Sequence, residues 1–292
     1  MKKVLLLLLL SLTARAQDHS VIWESGVYPL TVSKWTSALN KASEVSSTTY
    51  IRKQLHGEDR LHSAGHRDVI YWIPKSTNLS EPFVMLIWFH GHYGYVEERT
   101  FVSRTLSQIV PKVEEANFVL VLPEMPWSVH GKTPTKRNSL IWTKKGQFLE
   151  FIDVAHSVLY NHNSERELGR VEYRIVGHSA GGSTIKRLGI TGDLCKLGPS
   201  MVVWSDSSYG TWLDNAWDGC LSRSKALVDV YVHIGGKPHK NLKRFLRRFN
   251  KKNLPENLDF SMMGKGWSHK KIGDNIVDLS GVLDMEEYRC QQ

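Results

Sequence analysis

The stretch VEYRIVGHSAGGSTIKRLGI, from Val171 to Ile190, constrains the fold of this 292-residue chain more than any other. Val171 to Val176 favours an extended strand. Gly177-His178-Ser179-Ala180-Gly181-Gly182 then turns sharply, and Ser183 to Leu188 suits a helix. A G-x-S-x-G between a strand and a helix has a mechanical meaning. Glycines flank Ser179 because so tight a turn leaves no room for side chains beside it. The turn lifts the Ser179 hydroxyl above the sheet and points the backbone N–H of Ala180 at the space beside it. Read alone, the pattern also fits a plain glycine-rich turn, so the surrounding chain has to decide between them.

The surroundings alternate strands with helices. Phe83 to Phe89 and Phe118 to Leu122 are continuous apolar runs, as in strands buried on both faces. Thr48 to Lys53 and Asp68 to Pro74 read as strands ahead of them. Ser200 to Ser205, Val228 to Ile234 and Leu258 to Met262 read as strands after the elbow. Helices are expected over Glu97–Ala116, Lys144–Tyr160, Asn241–Phe249 and Ile276–Glu287. In the second of these, Phe148, Phe151, Ile152, Ala155, Val158 and Leu159 recur at helical spacing. This order predicts an α/β domain over residues 66–292, with a mostly parallel central sheet and helices on both faces. Residues 17–65 read as an N-terminal arm packed on that domain through Trp23 and Trp35.

Residues 1–16 read as a signal peptide. Lys2 and Lys3 precede the apolar run Val4–Leu10, and Ala14-Arg15-Ala16 makes a small-residue cleavage site. The chain is therefore expected to be exported, to a periplasm or outside the cell, with the mature protein starting near Gln17. No later run has the apolar length of a transmembrane helix. Loss of Lys2, Lys3 and Arg15 lowers the formal charge from +9 to about +6, too mild a basicity for a dedicated nucleic-acid binder. Export makes disulfides permissible. Cys195 and Cys220 flank one strand-and-loop unit and are the first candidates to pair, leaving Cys290 as a thiol, although spacing alone admits other pairings.

A serine hydroxyl becomes a nucleophile at neutral pH only with a base in reach and an acid orienting that base. Ligands collect at the C-terminal ends of parallel strands. Ser179, Asp206 and His269 each follow a predicted strand directly, in that chain order. Among thirteen histidines, His178 fills the elbow, His233 lies within a strand and His239 precedes a basic helix. Only His269 lies between the last strand and the last helix. Asp214 and Asp218 are alternative acids in the loop after Asp206.

The combination of HGHYG at 90–94, GHSAGG at 177–182, and an acid and a histidine in this order resembles the α/β-hydrolase superfamily over most of residues 66–290. Within it, the chain is similar to secreted esterases and depolymerases with an H-G-x-x-G oxyanion loop. The resemblance implies Ser179 as nucleophile, His269 as base and Asp206 as acid. It also implies an oxyanion hole built from the N–H of Ala180 and the turn containing Gly91 and His92. The superfamily often places its acid after the strand ending here at Ile234, but Gly235-Gly236-Lys237-Pro238 offers no carboxylate. Asp206, one strand earlier, is a known alternative position.

The expected activity is hydrolysis of a carboxylic ester through an acyl-enzyme, with no cofactor. A metal is not expected either: His90 and His92 share a face, but no third ligand cluster accompanies them. Two other readings use the same residues: a cell-wall peptidase or amidase, and a non-catalytic binding protein on a hydrolase scaffold. The substrate is expected to be a small molecule or a polymer, with anionic and carbohydrate-linked polymers among the candidates. Trp127, Trp204 and Trp267 are candidates for stacking on it, and the basic segment Lys237–Lys252 for attracting an anionic one. Both features also fit ordinary packing and a solvated helix face.

Overall fold

Continuous apolar runs need cover on two sides, and the structure supplies it. The computed structural model describes residues 49–54, 68–74, 76–91, 108–109, 112, 116–123, 125, 142–250 and 253–284. Among the described residues, eight strands form one sheet: β1 (Thr49–Gln54), β2 (Asp68–Ile73), β3 (Phe83–Phe89), β4 (Phe118–Pro123), β5 (Val171–His178), β6 (Met201–Ser205), β7 (Leu227–His233) and β8 (Leu258–Met263). Their spatial order is β1-β2-β4-β3-β5-β6-β7-β8. β1 and β2 run antiparallel at one edge. The other six are parallel.

Every residue of β3 and β4 is buried. Alternation along β3 divides them between two cores, as the two-residue period of a strand requires. Phe83, Met85, Ile87 and Phe89 pack into one core, and Val84, Leu86 and Trp88 into the other. The first core is closed by helix α1 (Gln147–His162), which buries the six residues whose spacing predicted it. The Asp193 carboxylate accepts from the N–H of Gly146 at 2.8 Å and of Phe148 at 3.3 Å, so a buried acid from elsewhere in the chain caps α1.

The remaining described helices are α2 (Gly181–Thr191), α3 (Asp193–Leu197), α4 (Trp212–Gly219), α5 (Lys237–Leu246), α6 (His269–Gly273) and α7 (Ile276–Ser280). The basic helix α5 starts at Lys237 rather than Asn241, because Pro238 in its first turn favours helix entry. The helix expected over Ile276–Glu287 stops at Ser280, followed by Gly281 in the left-handed region at φ +59°. Cys195 at α3 and Cys220 after α4 form a disulfide with a Cα–Cα distance of 5.7 Å. A loop of this length is worth roughly 3 kcal/mol when closed. Cys290, the leader and most of the Glu97–Ala116 helix lie outside the described residues. Among the described residues, no helix is long and apolar enough to cross a membrane.

Among the described residues, Arg174 and Asp229 are buried on the second face. The Arg174 guanidinium donates to the carbonyls of Val282 at 2.8 Å and Asp284 at 3.0 Å, pinning the segment after α7 to β5. Asp229 is buried in β7, in register with Asp259 of β8. Burial, with the Asp259 charge adding to it, pushes the Asp229 carboxyl up to about 6, although bonds from Tyr231 and Val230 pull the other way. Its folded value therefore lies above its unfolded one. The folded state holds the extra proton between the two values, so this group's contribution to stability falls as pH rises from about 4 to about 6. Asp229→Asn is expected to raise stability at pH 7.5 by roughly 1–3 kcal/mol. Denaturant melts at several pH values check this: the gain should shrink below pH 6 and vanish near pH 4.

Candidate active site

The elbow forms where three parallel strands end side by side. β5 runs through His178, and Ser179 then takes φ +53°, a conformation that costs a non-glycine residue on the order of 1–3 kcal/mol. Its N–H donates to the carbonyl of Ser205 at the end of β6, at 3.1 Å. Neighbouring backbone crowds the turn. A Cβ on Gly181 would lie 2.2 Å from the Phe89 carbonyl oxygen, and one on Gly91 would lie 2.9 Å from the Ser179 Cβ. The end of β3 thus touches the serine directly, and only a residue without a side chain fits at Gly91.

Asp206 follows β6 and is fully buried, also in the left-handed region at φ +47°. Its N–H donates to Tyr231 of β7 at 2.7 Å. The His269 Nδ1–H donates to the carboxylate Oδ2 at 2.6 Å. A second imidazole does the same: the Nδ1–H of His233, the last residue of β7, reaches Oδ2 at 2.7 Å, and the His233 backbone N–H reaches Oδ1 at 3.1 Å. Burial alone would raise the Asp206 carboxyl; the bonds and charge of His269 and the bonds from His233 outweigh it and hold the group below the usual carboxylate range. Asp206 is therefore an anion at neutral pH.

His269 was expected in a loop. It is instead the first residue of α6, whose entry Ser268 caps by accepting from the Lys271 N–H at 3.2 Å. Its ring stacks on His178 at 4.7 Å between centroids and meets the edge of Tyr209 at 6.4 Å. Burial first, and His269 second, push His178 down to about 4, so its ring packs against His269 without adding a positive charge. The alternative acids serve elsewhere: Asp214 pairs with Arg244 at 2.8 Å and Asp218 pairs with Arg248, tying α4 to α5.

On the oxyanion side, Ala180 is buried at the start of α2, and its N–H donates to no group among the described residues. The ring of His90 fixes the facing turn. Its Nε2 accepts from the Met125 N–H at 2.9 Å, so Nδ1 carries the proton and donates to the Gly91 carbonyl at 2.8 Å. His92 lies outside the described residues. Tyr209 is an unforeseen member of the site. Burial and the nearby Asp206 charge raise its hydroxyl, while a hydrogen bond with the Ser179 side chain lowers it.

Trp204 is a correction. It is fully buried in the core with Val202 and Val230, because both faces of β6 are covered and every residue of the strand is buried. It is sealed from any ligand. Trp267 is half-buried under the Lys271 ammonium at 4.8 Å. Trp127 lies outside the described residues. His233 went unrecognised because a histidine in an apolar strand reads as filler; its position at a strand's C-terminal end was the available signal.

Asp206, His233 and His269 each offer one ligand atom, all within 4.8 Å of one another. The 2.6 and 2.7 Å separations are those of hydrogen bonds. An ion held at about 2.0–2.2 Å from each atom would need both Nδ1 protons removed and the three groups spread apart. The cluster fits protons better than a metal.

No family model matches the chain, and no curated protein matches its sequence. Solved structures match its fold. The Staphylococcus aureus fluorophosphonate-binding serine hydrolase F, with substrate bound, is 11% identical at a TM-score of 0.50, over 81% of this chain and 99% of its own. A feruloyl esterase module from Clostridium thermocellum, a serine mutant complexed with sinapinate, is 13% identical at 0.53, over 92% and 98%. A ferulic acid esterase is 12% identical at 0.53, over 81% and 97%. The chain has the α/β-hydrolase fold. Within that fold the serine, acid and histidine follow β5, β6 and β8, and the strand end between the last two belongs to His233.

Proposed function

We propose that this chain is an exported serine hydrolase that cleaves carboxylic esters through an acyl-enzyme. One observation carries the reading: a buried, ionised Asp206 accepts the Nδ1–H of His269, whose ring stacks on His178, the residue before a serine held at positive φ on a strand–helix elbow. With Nδ1 committed to Asp206, the neutral His269 ring keeps its lone pair on Nε2. Ser179 Oγ attacks the ester carbon while His269 takes the hydroxyl proton. Asp206 holds the ring and stabilises the imidazolium, and its own proton affinity is too low to take the proton. The N–H of Ala180 and the turn at Gly91 and His92 receive the oxyanion, where one donor is worth ~10²- to 10³-fold in rate. His269 then protonates the departing alcohol, and water activated by the same ring releases the acid.

The solved neighbours named for feruloyl and ferulic acid esters support an ester over an amide, and suggest an aromatic acyl group to try first. The leader at residues 1–16 supports export. The test pairs methyl and aryl esters of short-chain and hydroxycinnamic acids with the matching amides, using purified protein. Turnover of the esters with little or none of the amides is expected. Equal or faster amide cleavage would move the protein to the peptidase reading.

A further inference from the structure

The Asp206 carboxylate holds more than a catalytic acid needs. A histidine base requires one carboxylate oxygen, and here that same oxygen, Oδ2, also receives the Nδ1–H of His233 at 2.7 Å. The second oxygen takes the His233 backbone N–H. His233 therefore grips both oxygens, one from its ring and one from its backbone, while His269 contacts only one. The chain also makes room for this ring. Gly236 has φ −73°, which any residue adopts, yet a Cβ there would lie 2.4 Å from the His233 Cε1 and 2.7 Å from its Nε2. Glycine is required at that position by the imidazole alone. The Gly235 N–H donates to the His239 Nδ1 at 3.3 Å, bracing the turn that follows.

We infer that His233 is a positioning residue for the triad: by donating a second N–H to Oδ2, it fixes the carboxylate plane and limits how strongly that oxygen can pull on the His269 proton. The inference rests on the triad reading above. His233 acts through Asp206. Two donors on one oxygen divide its negative charge, so each bond is weaker than it would be alone. That sharing keeps the His269 proton on Nδ1 and moderates the basicity of Nε2. The ionisable groups facing His233 are Asp206 after β6, His269 on α6 and His239 on α5. Of these only Asp206 is bonded to its ring among the described residues.

The test compares His233→Ala, His233→Asn and Gly236→Ala on an ester the wild type turns over, with full pH–rate profiles. An asparagine amide nitrogen reaches the place of Nδ1 and keeps the donor to Oδ2. His233→Ala is expected to lower kcat by about 10- to 100-fold, as loss of an outer partner of a catalytic group does, with KM little changed. Its acid limb should move to higher pH, because the carboxylate then acts on His269 alone. Gly236→Ala, which displaces the ring, should do the same, and His233→Asn should restore both rate and limb. If His233→Ala fails to fold, the other two variants carry the comparison. Wild-type kcat and pH profile in His233→Ala or Gly236→Ala, or no rescue by His233→Asn, would overturn the inference while leaving Ser179, His269 and Asp206 in place. A wild type whose Ser179 resists a fluorophosphonate would defeat the triad itself, and this role with it.

Discussion

Ser179→Ala is expected to lower kcat/KM for ester hydrolysis by about 10⁵- to 10⁶-fold, the loss seen when a catalytic nucleophile is removed. The oxyanion donors and the binding surface would remain, so a residual rate above the uncatalysed one should persist. Ser179 also carries a structural cost, since φ +53° suits glycine and strains a side chain. Alanine keeps that strain. Ser179→Gly removes it, at the expense of a more flexible unfolded chain, and is expected to be equally inactive but more stable than Ser179→Ala by up to ~1 kcal/mol. Initial rates on a chromogenic ester and denaturant melts of the three proteins check both halves. A more stable glycine variant without activity would mean that the elbow holds strain for the sake of function. Ester turnover by Ser179→Ala near the wild-type rate would remove the serine from the chemistry.

Asp206→Asn should lower kcat by about 10⁴-fold, and the bond inventory explains why an isosteric change costs so much. Among the described residues, three donors converge on this carboxylate: the rings of His269 and His233 on Oδ2 and the His233 N–H on Oδ1. An amide has one acceptor and one donor. Placed with its oxygen toward the rings, it sets its NH₂ against the His233 N–H. Placed the other way, it sets NH₂ against both Nδ1 atoms and forces the His269 proton onto Nε2, where the base is lost. Stability changes as well. The Asp206 carboxyl sits below its usual range in the folded state, so it contributes stability above the unfolded value and loses it as pH falls through the folded one. The variant should therefore be less stable than wild type at pH 7, with the gap closing in acid. Denaturant melts across that range check the sign, and rate assays check the loss of turnover.

The sheet was legible because β3 and β4 are apolar at every position, and only strands buried on both faces tolerate that. α1 was legible because Phe148, Phe151, Ile152, Ala155, Val158 and Leu159 recur at helical spacing and share one face. The order of Ser179, Asp206 and His269 was legible because Ser179 and Asp206 each follow a strand directly and His269 lies in the connection after the last one, and parallel strands gather such residues at one end. What escaped were features that exist only across strands. His233 reads as one residue of an apolar strand until β6, β7 and β8 are aligned and its ring falls on the Asp206 oxygen. Trp204 reads as an accessible aromatic near a strand end, but β6 is covered on both faces, so either side of the two-residue alternation is core. The start of α5 at Lys237 and the short α6 carrying His269 depend on local caps, Pro238 and Ser268, inside stretches whose composition resembles loops.

The central claim is that Ser179 is the nucleophile of an acyl-transfer site. Treating the protein with a fluorophosphonate and mapping the adduct by peptide mass spectrometry tests it most directly. One adduct on the peptide containing Ser179, absent from Ser179→Ala and greatly slowed in Asp206→Asn, is the expected result. Ester turnover without any adduct at Ser179, or equal labelling of Ser179→Ala, would contradict it.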